Sequence, residues 1–192
     1  MDLKLNRELY SIVVYPHKES IADVKVLKDL LAAKIGLYAS RNSEAHITIM
    51  MFWAGLYELE CWKKRIEKIC RSQRPQEVIF DSLSLSKFSH AIVLLPNDSS
   101  RLYLSDLLKI FRQGLKTGHA VNGANAHISI GRELSSAQID QAEHLYGNIH
   151  LEFNCDAIAV RKLNIIKNQF EVISEFKLLG NPLKEEQLLL FK

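Results

Sequence analysis

The sequence contains few of the residues and segments that mark special classes of protein. Its 3 cysteines include no C-x-x-C pair, so neither a disulfide framework nor a common zinc motif is indicated. Its apolar runs are much shorter than the roughly 20 residues of a transmembrane helix, and charged residues near the start leave no signal-peptide core. With 4 prolines and 8 glycines, it has no linker-like or low-complexity segment. These features predict a reduced, cytoplasmic protein that does not enter a membrane.

The charge of the chain is nearly balanced, with 25 Lys and Arg against 22 Asp and Glu and a net charge of +3. No basic stripe predicts a large nucleic-acid footprint, although a small anionic ligand is compatible with the slight excess. Hydrophobic residues make up 47% and charged residues 24%, which is typical of globular proteins. We therefore expect residues 1–192 to form a single folded domain and a monomer.

Short apolar runs alternate with stretches of helical periodicity along the chain. Strands are predicted at Leu9–Tyr15, Ala45–Phe52, Pro75–Leu85, Ala91–Leu95, Ala126–Ile130, Asn148–Leu163 and Gln169–Leu179. Helices are predicted at Ser20–Ile35, Gly55–Arg71, Ser100–Leu115 and Ser135–Tyr146, with a loop or hairpin end at Gly114–Ala126 and a packed apolar tail at Leu188–Phe191. Because several strands follow one another directly, the pattern favours an α+β fold with antiparallel sheets over a parallel, doubly wound one.

One pentapeptide occurs twice. Ala45–Ile49 reads A-H-I-T-I and Ala126–Ile130 reads A-H-I-S-I, whereas none of the other five histidines has Ser or Thr two residues later. In a strand, residues i and i+2 point to the same face. The pattern therefore predicts two strands that bury isoleucines on one face and present an imidazole and a hydroxyl on the other.

These side chains are suited to proton transfer at a phosphate. An imidazole can give or take a proton near neutral pH, so one of His46 and His127 can act as general base and the other as general acid. Each role is typically worth about 10²–10⁴-fold in rate. The hydroxyls of Thr48 and Ser129 can donate to non-bridging phosphate oxygens, and neither a metal nor a cofactor is required. The sequence does not decide which histidine has which role. The alternatives are a nucleotide- or RNA-binding module with little turnover, and a structural protein in which the motif recurs by coincidence.

The paired H-x-[ST] motifs resemble those of the two-histidine (2H) phosphoesterase superfamily, which includes bacterial 2′-5′ RNA ligases and cyclic nucleotide phosphodiesterases. The resemblance implies a bilobal fold, in which two antiparallel sheets line a central groove and the helices lie outside. It also implies that His46 and His127 act on a 2′,3′-cyclic phosphate or a 2′-5′ phosphodiester, hydrolysing it or reversibly forming it. Thr48 and Ser129 would then hold the phosphate, and the partner would be a nucleotide or an RNA end.

Two further residues are assigned to substrate binding by the resemblance. Arg132 follows the second motif, where relatives often carry Arg, and Phe88 precedes a strand where relatives often have an aromatic residue. Taken alone, Arg132 has the opposite strand parity to His127, so a structural salt bridge is an equal alternative. An aromatic residue such as Phe88 more commonly lies in a core or at a rim. Weaker candidates for lining the groove are Tyr10, Tyr15, His119, Asn122, Arg161 and Lys162, of which the last two are expected to be exposed to solvent.

Overall fold

The computed structural model describes residues 7–115 and 120–181 of the chain. The strands are β1 Glu8–Val14, β2 Ile47–Ala54, β3 Gln76–Ser86, β4 Ala91–Pro96, β5 Val121–Asn122, β6 Ile128–Arg132, β7 Leu151–Cys155, β8 Ala157–Asn164 and β9 Gln169–Lys177. The helices are α1 Lys18–Ile35, α2 Leu56–Ser72, α3 Asp98–Gly114 and α4 Ser136–Ala142. His119 and the tail Leu188–Phe191, for which the sequence predicts roles, lie outside the described residues.

The strands form two antiparallel sheets. Sheet A has five strands in the order β5-β2-β1-β8-β9, and sheet B has four in the order β6-β4-β3-β7. The chain passes from sheet A to sheet B after α2, returns for β5, and crosses twice more before β9. The predicted α+β fold with two antiparallel sheets is confirmed. A single domain over residues 1–192 stays a prediction, although the repeated crossing means that neither sheet is formed by one continuous piece of the chain.

The helices cover the apolar faces of the sheets. Trp62 of α2 stacks on Phe52 of β2 with ring centroids 4.0 Å apart, and Phe52 in turn meets Tyr10 of β1 at 5.6 Å. Helix α1 packs against β6, β7 and α4, and α3 packs against β2, β3 and β4. In the described part of the chain, no helix covers one face of sheet A, over the partly exposed side chains of its central strands. Within residues 7–115 and 120–181, no helix is long and apolar enough to span a membrane.

The prediction of one continuous strand at Asn148–Leu163 is wrong. The segment forms two strands in different sheets, β7 and β8, with Asp156 between them. The carbonyl of Asp156 accepts a hydrogen bond from the Leu178 N–H at 2.8 Å, and its carboxylate lies 3.1 Å from the ammonium of Lys177. These contacts hold the chain where it changes sheets. Apolar residues continue on both sides of the change, so hydrophobic periodicity alone could not reveal it.

Helix α4 begins as predicted but ends early. Ser135 and Gln138 form a capping box at its start. The helix ends at Ala142 rather than at Tyr146, because two of the following N–H groups bond to carbonyls three residues back, which tightens the chain into a turn. The segment predicted as a loop or hairpin end, Gly114–Ala126, contributes the short edge strand β5 to sheet A.

Candidate active site

The two repeated pentapeptides form matching segments, one in each sheet. His46 directly precedes β2 of sheet A, and His127 directly precedes β6 of sheet B. In both segments the two isoleucines are buried in the core, whereas the histidine and the hydroxyl residue two positions later are partly exposed. The predicted alternation is therefore present in both copies.

The two segments also share a bulge that the sequence does not reveal. Ile49 in β2 has no pairing partner on β1, and Ile130 in β6 has none on β4. The unpaired residue shifts the alternation of side chains between the two faces of the sheet by one position. The residue three positions after Thr48 or Ser129 therefore lies on the same face as that hydroxyl residue. In this way Met51 and Arg132 come to face the same side as the motif residues, and both line one groove. The opposite parity of Arg132, which favoured a structural role, does not apply in the bulged strand.

Both histidines are oriented by their own backbone. Nδ1 of His46 lies 2.7 Å from the carbonyl oxygen of Glu44, and Nδ1 of His127 lies 2.7 Å from that of Asn125. A carbonyl oxygen can only accept, so each Nδ1 carries a hydrogen and donates it. In a neutral imidazole held this way, Nε2 is free of hydrogen and can accept a proton.

A groove of about 720 Å³ lies over the open face of sheet A. It is lined by residues of β1, β2, β8 and β9, by the loop at 39–44 and by the end of β6. The side chains in it that can act on an anionic substrate include those of Tyr15, His46, Thr48, Arg132, Arg161 and Lys167. The structure thus brings the first motif together with an arginine from the strand that carries the second.

The remaining predicted site residues lie elsewhere. His127 and Ser129 are on the same face of β6 as Arg132, but they are not among the residues that line this groove. Phe88 lies in the turn between β3 and β4, is 99% exposed, and does not line the groove either. Its role in substrate binding stays a prediction.

A short segment joins the two motifs. The N–H of Gly123 donates to the carbonyl of Ile49 at 2.9 Å. The guanidinium of Arg112, on α3, donates to the same carbonyl at 3.1 Å and to that of Ala124 at 2.8 Å. Gly123 lies so close to β2 that an added Cβ would be 2.3 Å from the carbonyl oxygen of Thr48. The chain leading into His127 is therefore fastened to the strand that carries His46, although its sequence is typical of an ordinary loop.

The surroundings of His46 favour its neutral form. Burial holds its pKa well below the ordinary value, and the positive charge of Arg161 lowers it further, with smaller contributions from Lys28 and Arg132. The hydrogen bond to the Glu44 carbonyl acts in the opposite direction but does not outweigh them. At neutral pH, His46 therefore presents an unprotonated Nε2.

Lys28 is a buried cation behind the groove. Its ammonium donates to the carbonyl of Ser40 at 3.2 Å, and to the carbonyl and hydroxyl of Ser43 at 2.6 and 3.0 Å. Burial lowers its pKa to about 8. The hydroxyl of Ser40 also accepts from the backbone N–H of Arg132 at 2.9 Å, so this network positions the arginine. The sequence carried one sign of it, because Lys28 falls on the inner face of α1 between Val24 and Leu31.

The expectation that Arg161 is exposed is wrong. Only 4% of its surface is accessible, and its Nε donates to the hydroxyl of Ser11 at 3.1 Å. Burial lowers its pKa to about 10, and its guanidinium carbon lies 5.3 Å from the ring centroid of Phe170. It forms no ion pair with any residue in the described part of the chain. The sequence gives no sign of this burial, since Arg161 and Lys162 are adjacent on one strand and only the first is enclosed.

Two weaker candidates have mixed outcomes. Tyr15 lines the groove and donates its hydroxyl to the Glu44 carboxylate at 2.9 Å, and burial together with that carboxylate raises its pKa to about 12. Tyr10 is instead buried in the core with its hydroxyl bonded to Glu8. Among the described residues, no three His, Cys, Asp or Glu side chains are grouped closely enough to hold a metal ion.

Comparison with known proteins identifies the family. No curated protein matches the sequence significantly. Escherichia coli LigT, solved with 3′-AMP, is 10% identical over 90% of this chain and 99% of its own, with a TM-score of 0.66. LigT solved with NADP+ gives the same score, and TT0787 of Thermus thermophilus is 14% identical over 90% and 98% of the two chains, with a TM-score of 0.67. These likenesses show the same fold. The sequence model of the 2′-5′ RNA ligase superfamily matches residues 15–164, so the chain belongs to this superfamily of two-histidine phosphoesterases.

Proposed function

We propose that this protein is a metal-independent phosphoesterase that hydrolyses, or reversibly forms, a 2′,3′-cyclic phosphate or a 2′-5′ phosphodiester in a nucleotide or RNA end. The observation that carries the proposal is the duplicated arrangement around His46 and His127, each with Nδ1 bonded to a carbonyl and a hydroxyl residue two positions later. A relative of the same fold, LigT, has been solved with 3′-AMP. A cytoplasmic location and a monomeric state stay predictions.

The neutral state of His46 favours its assignment as general base in the direction of hydrolysis. Its Nε2 takes a proton from water as the water oxygen bonds to phosphorus. A protonated His127 gives a proton to the ribose oxygen as its bond to phosphorus breaks. The hydroxyls of Thr48 and Ser129 and the guanidinium of Arg132 donate to the non-bridging oxygens, where negative charge develops. In the reverse direction the two histidines exchange roles.

The test is hydrolysis of a substrate panel in the presence of EDTA. The panel contains 2′,3′-cyclic mononucleotides, ADP-ribose 1″,2″-cyclic phosphate and 2′-5′ linked dinucleotides. We expect turnover that persists in EDTA and falls by about 10²–10⁴-fold in both His46→Ala and His127→Ala. His144→Ala is a matched control, because His144 is an exposed histidine outside both motifs. A folded protein without turnover on any substrate, or variants as active as the wild type, would refute the proposal.

The pH dependence tests the assignment of roles. The rate should follow a bell-shaped profile, because one imidazole must be neutral and the other charged. The pKa of His46 is held well below its ordinary value, so the acid limb should lie below the range of an unperturbed histidine, near pH 6.5. In Arg161→Gln, a cation that lowers this pKa is removed, and the acid limb should move to higher pH. An acid limb that lies at or above pH 6.5 in the wild type and does not move in this variant would contradict the assignment of His46 as base.

A further inference from the structure

We propose that the groove holds a second nucleotide beside the reacting phosphate, with Arg161 binding the phosphate between the two nucleotides and Phe170 stacking on the second base. The inference rests on the proposed function and makes it more specific. The preferred substrate would be an RNA end of at least two nucleotides, and a cyclic mononucleotide would fill only part of the site.

Arg161 has the properties of an anion-binding group. It is almost completely enclosed, lines the groove, and has only the hydroxyl of Ser11 as a hydrogen-bond partner among the described residues. A buried cation without a counterion is costly, and a guanidinium can bind two phosphate oxygens at once. The Glu44 carboxylate, which also lines the groove, raises the pKa of Arg161 without forming an ion pair with it, and a phosphate in the groove would supply the directly paired counterion.

The strand register separates Arg161 from the reacting phosphate. Thr48 pairs with Val13 of β1, whereas Arg161 of β8 pairs with Ser11. The two positions are thus two strands apart and two β1 residues apart, or roughly 12 Å between their Cα atoms. The bond from Nε to Ser11 keeps the guanidinium in its own row of the sheet. Arg161 can therefore meet a phosphate other than the one held at Thr48.

Phe170 lies one step farther along the same face. It pairs with Leu163, which also lines the groove, and its ring is half-buried beside the guanidinium of Arg161. Trp53 lies two residues beyond Met51 on β2 and therefore on the same face, and it is 52% exposed, although it is not among the residues that line the groove. Proteins that bind single-stranded nucleic acid combine cationic groups with aromatic rings in this way. From His46 outward, the order of groups is thus reacting phosphate, second phosphate and base.

The first experiment compares kcat/KM for three substrates at fixed ionic strength. They are adenosine 2′,3′-cyclic phosphate, the same compound with a 5′-phosphate, and the dinucleotide ApA with a terminal cyclic phosphate. We expect the 5′-phosphate to raise kcat/KM about tenfold and the second nucleoside to raise it about tenfold again. Three equal values, with the mononucleotide turned over, would overturn the inference while leaving the proposed function intact.

A binding measurement separates the inference from catalysis. Calorimetry compares adenosine 2′-phosphate with adenosine 2′,5′-bisphosphate and needs no turnover. Tighter binding of the bisphosphate, lost in Arg161→Gln, would support the second phosphate site even if the proposed function failed. Equal binding of both compounds by the wild type would overturn it.

Variants then assign each gain to a residue. Arg161→Gln should remove the gain from the 5′-phosphate, and Phe170→Leu should remove the gain from the second nucleoside. Tyr57→Leu is a matched control that should keep both gains, because Tyr57 is 85% exposed on α2 and is not among the residues that line the groove. If Arg161→Gln fails to fold, Phe170→Leu and the comparison of substrates with the wild type still test the second-nucleotide site. Gains that persist in folded Arg161→Gln and Phe170→Leu would refute the assignment.

Discussion

Substitution of Gly123 by alanine should damage catalysis through the backbone alone. The added Cβ would lie 2.3 Å from the carbonyl oxygen of Thr48 and 3.2 Å from its Cβ. Ordinary contact requires a displacement of about 1 Å, and the neighbour is strand backbone that pairs with β1 and cannot rotate away. The segment leading to His127 must therefore move off β2. Overpacking of this kind typically costs about 1–3 kcal/mol of stability, and a misplacement of about 1 Å can cost about 10²-fold in rate.

The assay for Gly123→Ala is kcat/KM on the best substrate of the panel, together with thermal unfolding. We expect a loss of about 10²-fold and a fall in Tm of about 2–4 °C for each kcal/mol. Gly147→Ala is the matched control, because an added Cβ there meets nothing within 4 Å. It should leave both activity and Tm close to the wild-type values. If Gly123→Ala is as active as Gly147→Ala, the contact between the two motif segments does not position His127.

Three further predictions concern buried groups. His46 becomes protonated below about pH 6.5 in the unfolded chain, whereas the folded protein holds it neutral. The free energy of unfolding should therefore fall as the pH drops below that value. Urea titrations of His46→Gln at several pH values should show a smaller fall. The pKa of Lys28 is about 8 in the folded protein and about 10.4 in the unfolded chain. The free energy of unfolding of the wild type should therefore rise as the pH is raised from about 8 to about 10, whereas that of Lys28→Met should not. Urea titrations at the two ends of this pH range measure this difference. Arg112→Met leaves the carbonyls of Ile49 and Ala124 without their charged donor, which should cost about 1.5–3 kcal/mol and lower kcat/KM; full activity in the variant would show that this contact does not position the motifs.

Much of the fold could be predicted from local patterns. The apolar run at Leu9–Tyr15 corresponds to β1 at Glu8–Val14, and the strand predicted at Pro75–Leu85 corresponds to β3 at Gln76–Ser86. The capping box of α4 is also visible in the sequence, as Ser135 followed three residues later by Gln138. These features depend on neighbours in the sequence, and periodicity and capping report such neighbours directly.

The site was predictable only in part. The alternation of His46 and Thr48 against buried isoleucines follows from strand geometry. The bulge that brings Arg132 to the same face could not be predicted, because a bulged strand and a regular strand have the same kind of apolar sequence. The burial of Arg161 was equally hidden, since it depends on strands from both ends of the chain that enclose it. Contacts between distant segments leave no trace in a local window.

The hydrogen bonds from Nδ1 of His46 and His127 separate two properties that catalytic histidines often combine. Where a carboxylate orients an imidazole, the same group also stabilises its charged form. Here a carbonyl two residues upstream sets the direction of each ring, so orientation is contained within three consecutive residues. The proton affinity of His46 is set mainly by burial and by nearby cations, which outweigh the opposite effect of this carbonyl. Substitutions in the groove can therefore change the pKa of His46 while the orientation of its imidazole ring stays the same.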